Sequence, residues 1–93
     1  MINTVVISKN AEKDILKIPS YIQVKLRMWV NDVERLGLSE VQKISGYHDE
    51  PLKGERKGQR SIRLNKAYRA IYRILDNGKI EFVHIEEVNK HDY

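Results

Sequence analysis

The sequence predicts an α+β fold: an N-terminal strand, a helical hairpin, then three antiparallel strands forming a small sheet with the helices on one face. Three observations lead there. A short β-branched run opens the chain, apolar residues then recur at helical spacing as far as Gly37, and from Gln59 onward the period drops to two around an Asn-Gly turn signal. The 93 residues are expected to form one domain, 1–93, because a second core would leave each half too short to bury enough apolar surface.

Ile2–Ile7 is apolar and β-branched and reads as the first strand. Asn10 can cap a short helix that carries Ala11, Ile15 and Ile18 on one face and is stopped by Pro19. Ser20-Tyr21-Ile22-Gln23 has the spacing of a capping box, and Ile22, Leu26, Trp29, Val30, Val33 and Leu36 then recur three and four apart. Gly37 stands where a left-handed residue ends such a helix. Trp29 is read as core rather than as a platform for a base. Leu38–Ile44 has room for one or two more helical turns, and Tyr47–Pro51 reads as loop. Gln59–Asn65 and Tyr68–Leu75 alternate, with Ile62, Leu64, Tyr68, Ala70, Tyr72 and Ile74 as the inward set and Arg69, Ile71 and Arg73 opposite. Asp76-Asn77-Gly78 suits a type I′ hairpin, and Ile80–Val88 is the last strand.

Composition narrows the function. Hydrophobic residues at 41% with 32% charged are ordinary for a soluble folded chain. There is no cysteine, and His48, His84 and His91 are too scattered for a helical ligand pair, so neither a metal nor another cofactor is expected. The lack of a leader or a long apolar run points to the cytoplasm, with no membrane association. Charge is unevenly spread. Residues 1–52 carry seven Lys/Arg against seven Asp/Glu, residues 53–73 carry eight against Glu55 alone, and residues 74–93 carry two against five. A local excess of this kind beside an acidic strand makes a directed field suited to a polyanion. A merely solvated basic surface is the plain alternative.

Strand alternation would set Ser61 and Arg63 beside Arg69 and Arg73 on one side of the sheet. Like charges facing each other cost about half a kcal/mol or more per pair, and a polyanionic ligand would explain their retention. Splaying into water on an exposed face would equally accommodate them. In the tail, His91 can exchange a proton near neutral pH, and Tyr93 can donate a hydrogen bond or stack on a base.

The run Glu50-Pro51-Leu52-Lys53-Gly54-Glu55-Arg56-Lys57-Gly58, followed by Ser61-Ile62-Arg63-Leu64 and Tyr68-Arg69-Ala70-Ile71-Tyr72, resembles the RelE superfamily of toxins of type II toxin-antitoxin systems, nearest its HigB and YoeB branches. The resemblance covers roughly Glu50–Tyr93. It implies metal-independent cleavage of mRNA, usually at the decoding (A) site of the 30S ribosome, and neutralisation by a cognate antitoxin protein. In such chemistry the ribose 2′-hydroxyl attacks the adjacent phosphate and leaves a 2′,3′-cyclic phosphate. A base, cations for the growing phosphate charge, and an acid for the leaving 5′-oxygen are required.

Carried over to this chain, Glu50 matches the general base and Arg69 the arginine that clamps the scissile phosphate. His91 and Tyr93 resemble the terminal group that supplies the acid and contacts substrate. Lys53, Lys57, Arg60, Arg63, Arg73 and Lys90 are the further candidates for binding RNA or its phosphates. The relatives end on adjacent Tyr and His, whereas here Asp92 separates His91 from Tyr93. The main alternative is a ParE-like toxin of the same fold that inhibits DNA gyrase without cutting RNA. A basic nucleic-acid-binding module without toxicity is a third reading.

Overall fold

The computed structural model describes residues 1–88. In chain order they form β1 (Val5–Ile7), α1 (Lys9–Lys17), α2 (Ser20–Leu36), α3 (Leu38–Val41), a 3-10 turn at Ser45–Tyr47, β2 (Glu50–Pro51), a second 3-10 turn at Gly54–Arg56, β3 (Gln59–Arg63), β4 (Tyr68–Ile74) and β5 (Ile80–Glu87). Among these residues five strands make one sheet in the order β1-β5-β4-β3-β2. The expected α+β architecture is present, with one strand more than expected. Glu50 and Pro51, expected as loop, pair with Ser61 and Arg60 across the outer edge of β3. Two residues carry no readable alternation, so only the pairing reveals them as a strand.

The first strand is shorter than its apolar run. Val5–Ile7 pair in parallel with Ile80–Phe82, while the Ile2 carbonyl accepts from Leu38 N at 2.8 Å. The first helix is capped by Ser8, not Asn10. Ser8 Oγ accepts from Ala11 N at 3.1 Å, because the backbone leaves the sheet at Ser8, whose N–H still bonds Phe82 O. The capping box at Ser20 does not form. Pro19 occupies the cap position without a side-chain bond, and Gln23 Nε2 instead donates to the Ile15 and Ile18 carbonyls at 2.9 and 3.3 Å. It thereby adds a donor to carbonyls at the end of α1 and ties the hairpin together. Gly37 has φ +85° and ψ 154°, outside the left-handed helical well and in a region essentially restricted to glycine.

The helices cover one face of the sheet. Ala11, Ile22, Leu26, Trp29, Val33, Leu38 and Val41 share a single buried cluster with Ile62, Leu64, Ala70, Tyr72, Ile80, Phe82 and Ile85. Trp29 lies at its centre, with ring centroids 5.2 Å from both Tyr72 and Phe82. Ile74, expected inside, is substantially exposed near the strand end. Where β1 stops, α1 shields the open edge of β5: Asp14 Oδ2 accepts from Ile85 N at 2.9 Å. An otherwise unpaired strand donor is satisfied in this way. No helix among the described residues is long and apolar enough to cross a membrane.

Two local departures shape the last hairpin. The β4–β5 turn is not type I′, which needs two positive φ angles. Among the described residues from 75 to 79 only Gly78 has one, at +85°. The loop is Asp76-Asn77-Gly78, closed by Leu75 N to Lys79 O at 2.8 Å and Gly78 N to Leu75 O at 2.9 Å, a turn followed by a glycine bulge. Further along, Ile71 pairs with His84 but Tyr72 pairs with Phe82. Val83 is therefore the extra residue of a β-bulge, and the inward–outward parity of β5 reverses across it. Phe82 and Ile85 both enter the core, while His84 and Glu86 come out beside Ile71 and Arg69.

Candidate active site

The sheet face away from the helices carries the charge. Register places Glu50 opposite Ser61, Ser61 opposite Ile71, and Ile71 opposite His84. The next row is Arg63, Arg69 and Glu86, and on the other side lie Gln59, Arg73 and Glu81. Ile71 is 1% exposed yet lies outside the helical core cluster, so it forms an apolar floor between the charged rows.

At the end of this face, where the β3–β4 turn closes, lies a pocket of about 180 Å³ lined by His48, Glu50, Ser61, Arg63, Asn65, Lys66, Tyr68, Arg69 and Val88. Asn65 shapes its rim. The side-chain oxygen accepts from both Ala67 N and Tyr68 N at 2.8 Å, an Asx turn that returns the chain into β4. Val88 N bonds Ala67 O and closes the other side.

A buried anchor holds the segment that delivers His48 and Glu50. Between them Asp49, with a side chain 0% exposed, points through to the helical side. It accepts from Tyr72 Oη at 2.6 Å and from Arg60 Nε at 2.7 Å, while Gln42 Nε2 donates to Tyr72 Oη. Burial, reinforced by the hydrogen bond to Asp49, pushes the Tyr72 hydroxyl well above its ordinary range and keeps it a donor. His48 has φ +49° and ψ +48°, the one non-glycine positive φ among the described residues. Its Nε2 lies 3.8 Å from Glu50 Oε2. A carboxylate and an imidazole thus share the pocket lining with two guanidiniums, which suits proton transfer beside a bound phosphate.

The structure brings Glu50, Arg63 and Arg69 to this pocket. Arg63 and Arg69 are directly opposed in the register. Arg69 is also held by Glu86, through both Nε and Nη2, and Glu86 in turn receives Arg56 Nη2 at 3.0 Å. Burial alone would raise the Glu86 carboxyl, but hydrogen bonds and charge from Arg56 and Arg69 outweigh it and hold it below the usual range. Arg73 lies on the same face but is paired with Glu81 at 2.9 Å. Lys53 and Lys57 flank the Gly54–Arg56 turn and are exposed, outside the pocket lining. Arg60 is not part of this face: strand alternation turns it toward the helical side, where Asp49 holds it. Lys90, His91 and Tyr93 lie outside the described residues. Among the described residues no group of three or more His, Cys, Asp or Glu is arranged to hold a metal ion.

Sequence reasoning did not single out His48, Lys66, Tyr68 or Glu86 for this site. His48 stands only two residues before Glu50, but its left-handed backbone is not a feature that strand alternation could have revealed. Glu86 was not legible either. Its position depends on the bulge at Val83, and an extra residue in a strand leaves no mark in the alternation of so short a run.

Similarity to known proteins places the chain in a family. The family model described as ParE toxin of type II toxin-antitoxin system, parDE, matches residues 5–88. No curated protein sequence matches. Among solved structures, YafQ from Escherichia coli BL21(DE3) superposes with a TM-score of 0.74 at 19% identity, covering 92% of this chain and 93% of that one. The archaeal RelE–RelB complex from Pyrococcus horikoshii OT3 gives 0.73 at 19%, covering 97% and 99%. The toxin-antitoxin complex RelBE2 from Mycobacterium tuberculosis gives 0.68 at 24%, covering 94% and 99%. At these identities the solved structures establish the shared fold, and the family match over residues 5–88 establishes the family. The chain belongs to the ParE toxin family of type II toxin-antitoxin systems, on the RelE-like fold that its second half resembles.

Proposed function

We propose that this toxin is a metal-independent endoribonuclease that cuts mRNA in the decoding site of the ribosome and so arrests translation in the cytoplasm. The observation that carries the reading is the convergence of Glu50, Arg63 and Arg69 on one pocket, from three strands and three separate stretches of sequence. In the reaction the ribose 2′-oxygen bonds to the neighbouring phosphorus and its proton passes to Glu50. Arg63 and Arg69 take up the charge that grows on the phosphate oxygens. The bond from phosphorus to the 5′-oxygen breaks, and that oxygen takes a proton from His91, with Tyr93 and Lys90 against the substrate. The products are a 2′,3′-cyclic phosphate and a 5′-hydroxyl. No cofactor takes part. Ribosome dependence is supported by the size of the site, which offers a short chain few elements for gripping RNA unaided.

A cognate antitoxin is the proposed protein partner. The relatives from Mycobacterium tuberculosis and Pyrococcus horikoshii, and YoeB with YefM from Staphylococcus aureus, were solved as toxin–antitoxin complexes. One observation favours a second reading: the matching family model is that of ParE toxins, which fits inhibition of DNA gyrase without RNA cleavage.

Inducing the wild type, Arg69→Ala, His48→Ala and His91→Ala in cells and mapping messenger 5′ ends separates the two. New 5′-hydroxyl ends with wild type and none with Arg69→Ala support the nuclease. Growth arrest with intact transcripts and blocked supercoiling would favour the gyrase reading. The two histidine variants decide which imidazole the reaction needs. Cutting of naked RNA as fast as RNA on programmed ribosomes would refute ribosome dependence.

A further inference from the structure

We propose that Glu86 is the positioning residue of the phosphate clamp: it grips one edge of the Arg69 guanidinium so that the other edge is presented to the scissile phosphate. The inference rests on the nuclease reading above and adds to it a residue that does not touch substrate.

A guanidinium has five N–H donors in a fixed planar fork. In Arg69, Nε–H donates to Glu86 Oε2 and Nη2 lies in ion-pair contact with the same oxygen, so Glu86 occupies one edge of the fork and the donors of the other edge remain. Arg69 lines the pocket, and Glu86 is not among its lining residues. The carboxylate therefore lies behind the arginine rather than in the space a phosphate would take. It is itself held on several sides. Arg56 donates to its two oxygens from Nη2 and Nη1 at 3.0 and 3.3 Å, and His84 Nε2 lies 3.4 Å from Oε1. His84 Nδ1 is 2.8 Å from Asp14 Oδ2, so the chain of contacts runs back to α1. With a side chain 19% exposed, Glu86 has little freedom to swing.

Electrostatics gives the arrangement a second use. Arg63 and Arg69 face each other directly in the β3–β4 ladder, and two guanidiniums so placed repel. Glu86 completes the row on the far side of Arg69 and offsets that repulsion without entering the pocket. Both arginines can then stay on the same face before substrate arrives. Preorganised cations of this kind stabilise developing charge without having to move at the moment of reaction. The bulge at Val83 is what turns Glu86 to this face.

The test is steady-state cleavage on programmed ribosomes with the full chain, comparing wild type, Glu86→Ala, Glu86→Gln, Arg56→Ala and Arg69→Ala, with a melting temperature for each. Loss of orientation lowers kcat more than it raises KM. Glu86→Ala is expected to lose about 10- to 100-fold in kcat, with KM within about threefold. Glu86→Gln, which keeps an acceptor oxygen at the same reach, is expected to recover part of that loss. Arg56→Ala, which removes one of the contacts that hold Glu86 but leaves the carboxylate on Arg69, is expected to lose less kcat than Glu86→Ala; a larger loss than Glu86→Ala would overturn the proposal. Glu86→Ala and Glu86→Gln both cleaving like wild type, while Arg69→Ala is inactive, would overturn the proposal and leave the nuclease reading standing. Faster cleavage by Glu86→Ala would also overturn it, since Glu86 would then be a competitor for Arg69. Wild-type cleavage by Arg69→Ala would overturn the clamp role of Arg69 and this inference with it, whereas absence of cleavage by the wild type would remove the nuclease reading itself.

Discussion

Replacing Asp49 with alanine removes the anchor between His48 and Glu50, and the cost is set by the two hydrogen bonds that its carboxylate accepts. That carboxylate is wholly inaccessible, and both bonds are charge-assisted, from Tyr72 Oη at 2.6 Å and Arg60 Nε at 2.7 Å. Such bonds contribute about 1.5–3 kcal/mol each. Relief of the carboxylate's own desolvation offsets part of this, yet breaking a buried pair from one side still costs about 3–5 kcal/mol, because the partners are left behind. The buried Tyr72 hydroxyl keeps Gln42 as a donor to it but loses its acceptor. We therefore expect a loss of about 3–4 kcal/mol, which for a chain of this size lowers Tm by roughly 12–30 °C. Urea unfolding of wild type, Asp49→Ala, Asp49→Asn and Tyr72→Phe measures it, and the double variant Asp49→Asn/Tyr72→Phe closes a cycle. Asparagine keeps an acceptor for Tyr72 but not the charge facing Arg60, so it should fall between wild type and alanine. A loss below about 1 kcal/mol for Asp49→Ala, or no coupling to Tyr72, would refute the anchor.

Stability should fall in acid partly through Glu86. Its folded pKa is depressed, so its contribution is present above the unfolded value and lost as pH falls through the lower folded one; Glu86→Gln should flatten the melting profile below about pH 4.5. In base the sign reverses for Tyr47, whose hydroxyl is pushed up to about 12 by burial and its bond to Asp32. Its contribution is full below pH 10 and is lost as pH rises toward 12, so Tyr47→Phe should melt with a shallower dependence between those values. Ser8→Ala removes the cap bond to Ala11 N and should cost about 1 kcal/mol by chemical denaturation. Gly78→Ala meets nothing within 4 Å at its new Cβ but must hold φ +85°, so backbone strain of about 1–2 kcal/mol should be the whole effect.

Much of this molecule was legible in the sequence. Helical spacing from Ile22 to Leu36, the stop at Pro19 and the alternation of β3 and β4 are local signals, written in residues a few positions apart. The charge excess in residues 53–73 located the strands whose Arg63 and Arg69 line the pocket, and the Glu50–Tyr72 resemblance identified the toxin family and fold. Other features belong to contacts between distant segments. Parallel pairing of β1 with β5, the short β2, and the choice of Ser8 over Asn10 as cap all depend on where the sheet lets the chain leave. Arg60 and Arg63 look alike in sequence, yet the pleat sends one to Asp49 and the other to the pocket. Glu86 faces Arg69 only because Val83 adds a residue to β5. Local periodicity names the elements and most of the core, whereas which charges meet is set by strand register, and one inserted residue is enough to reverse it.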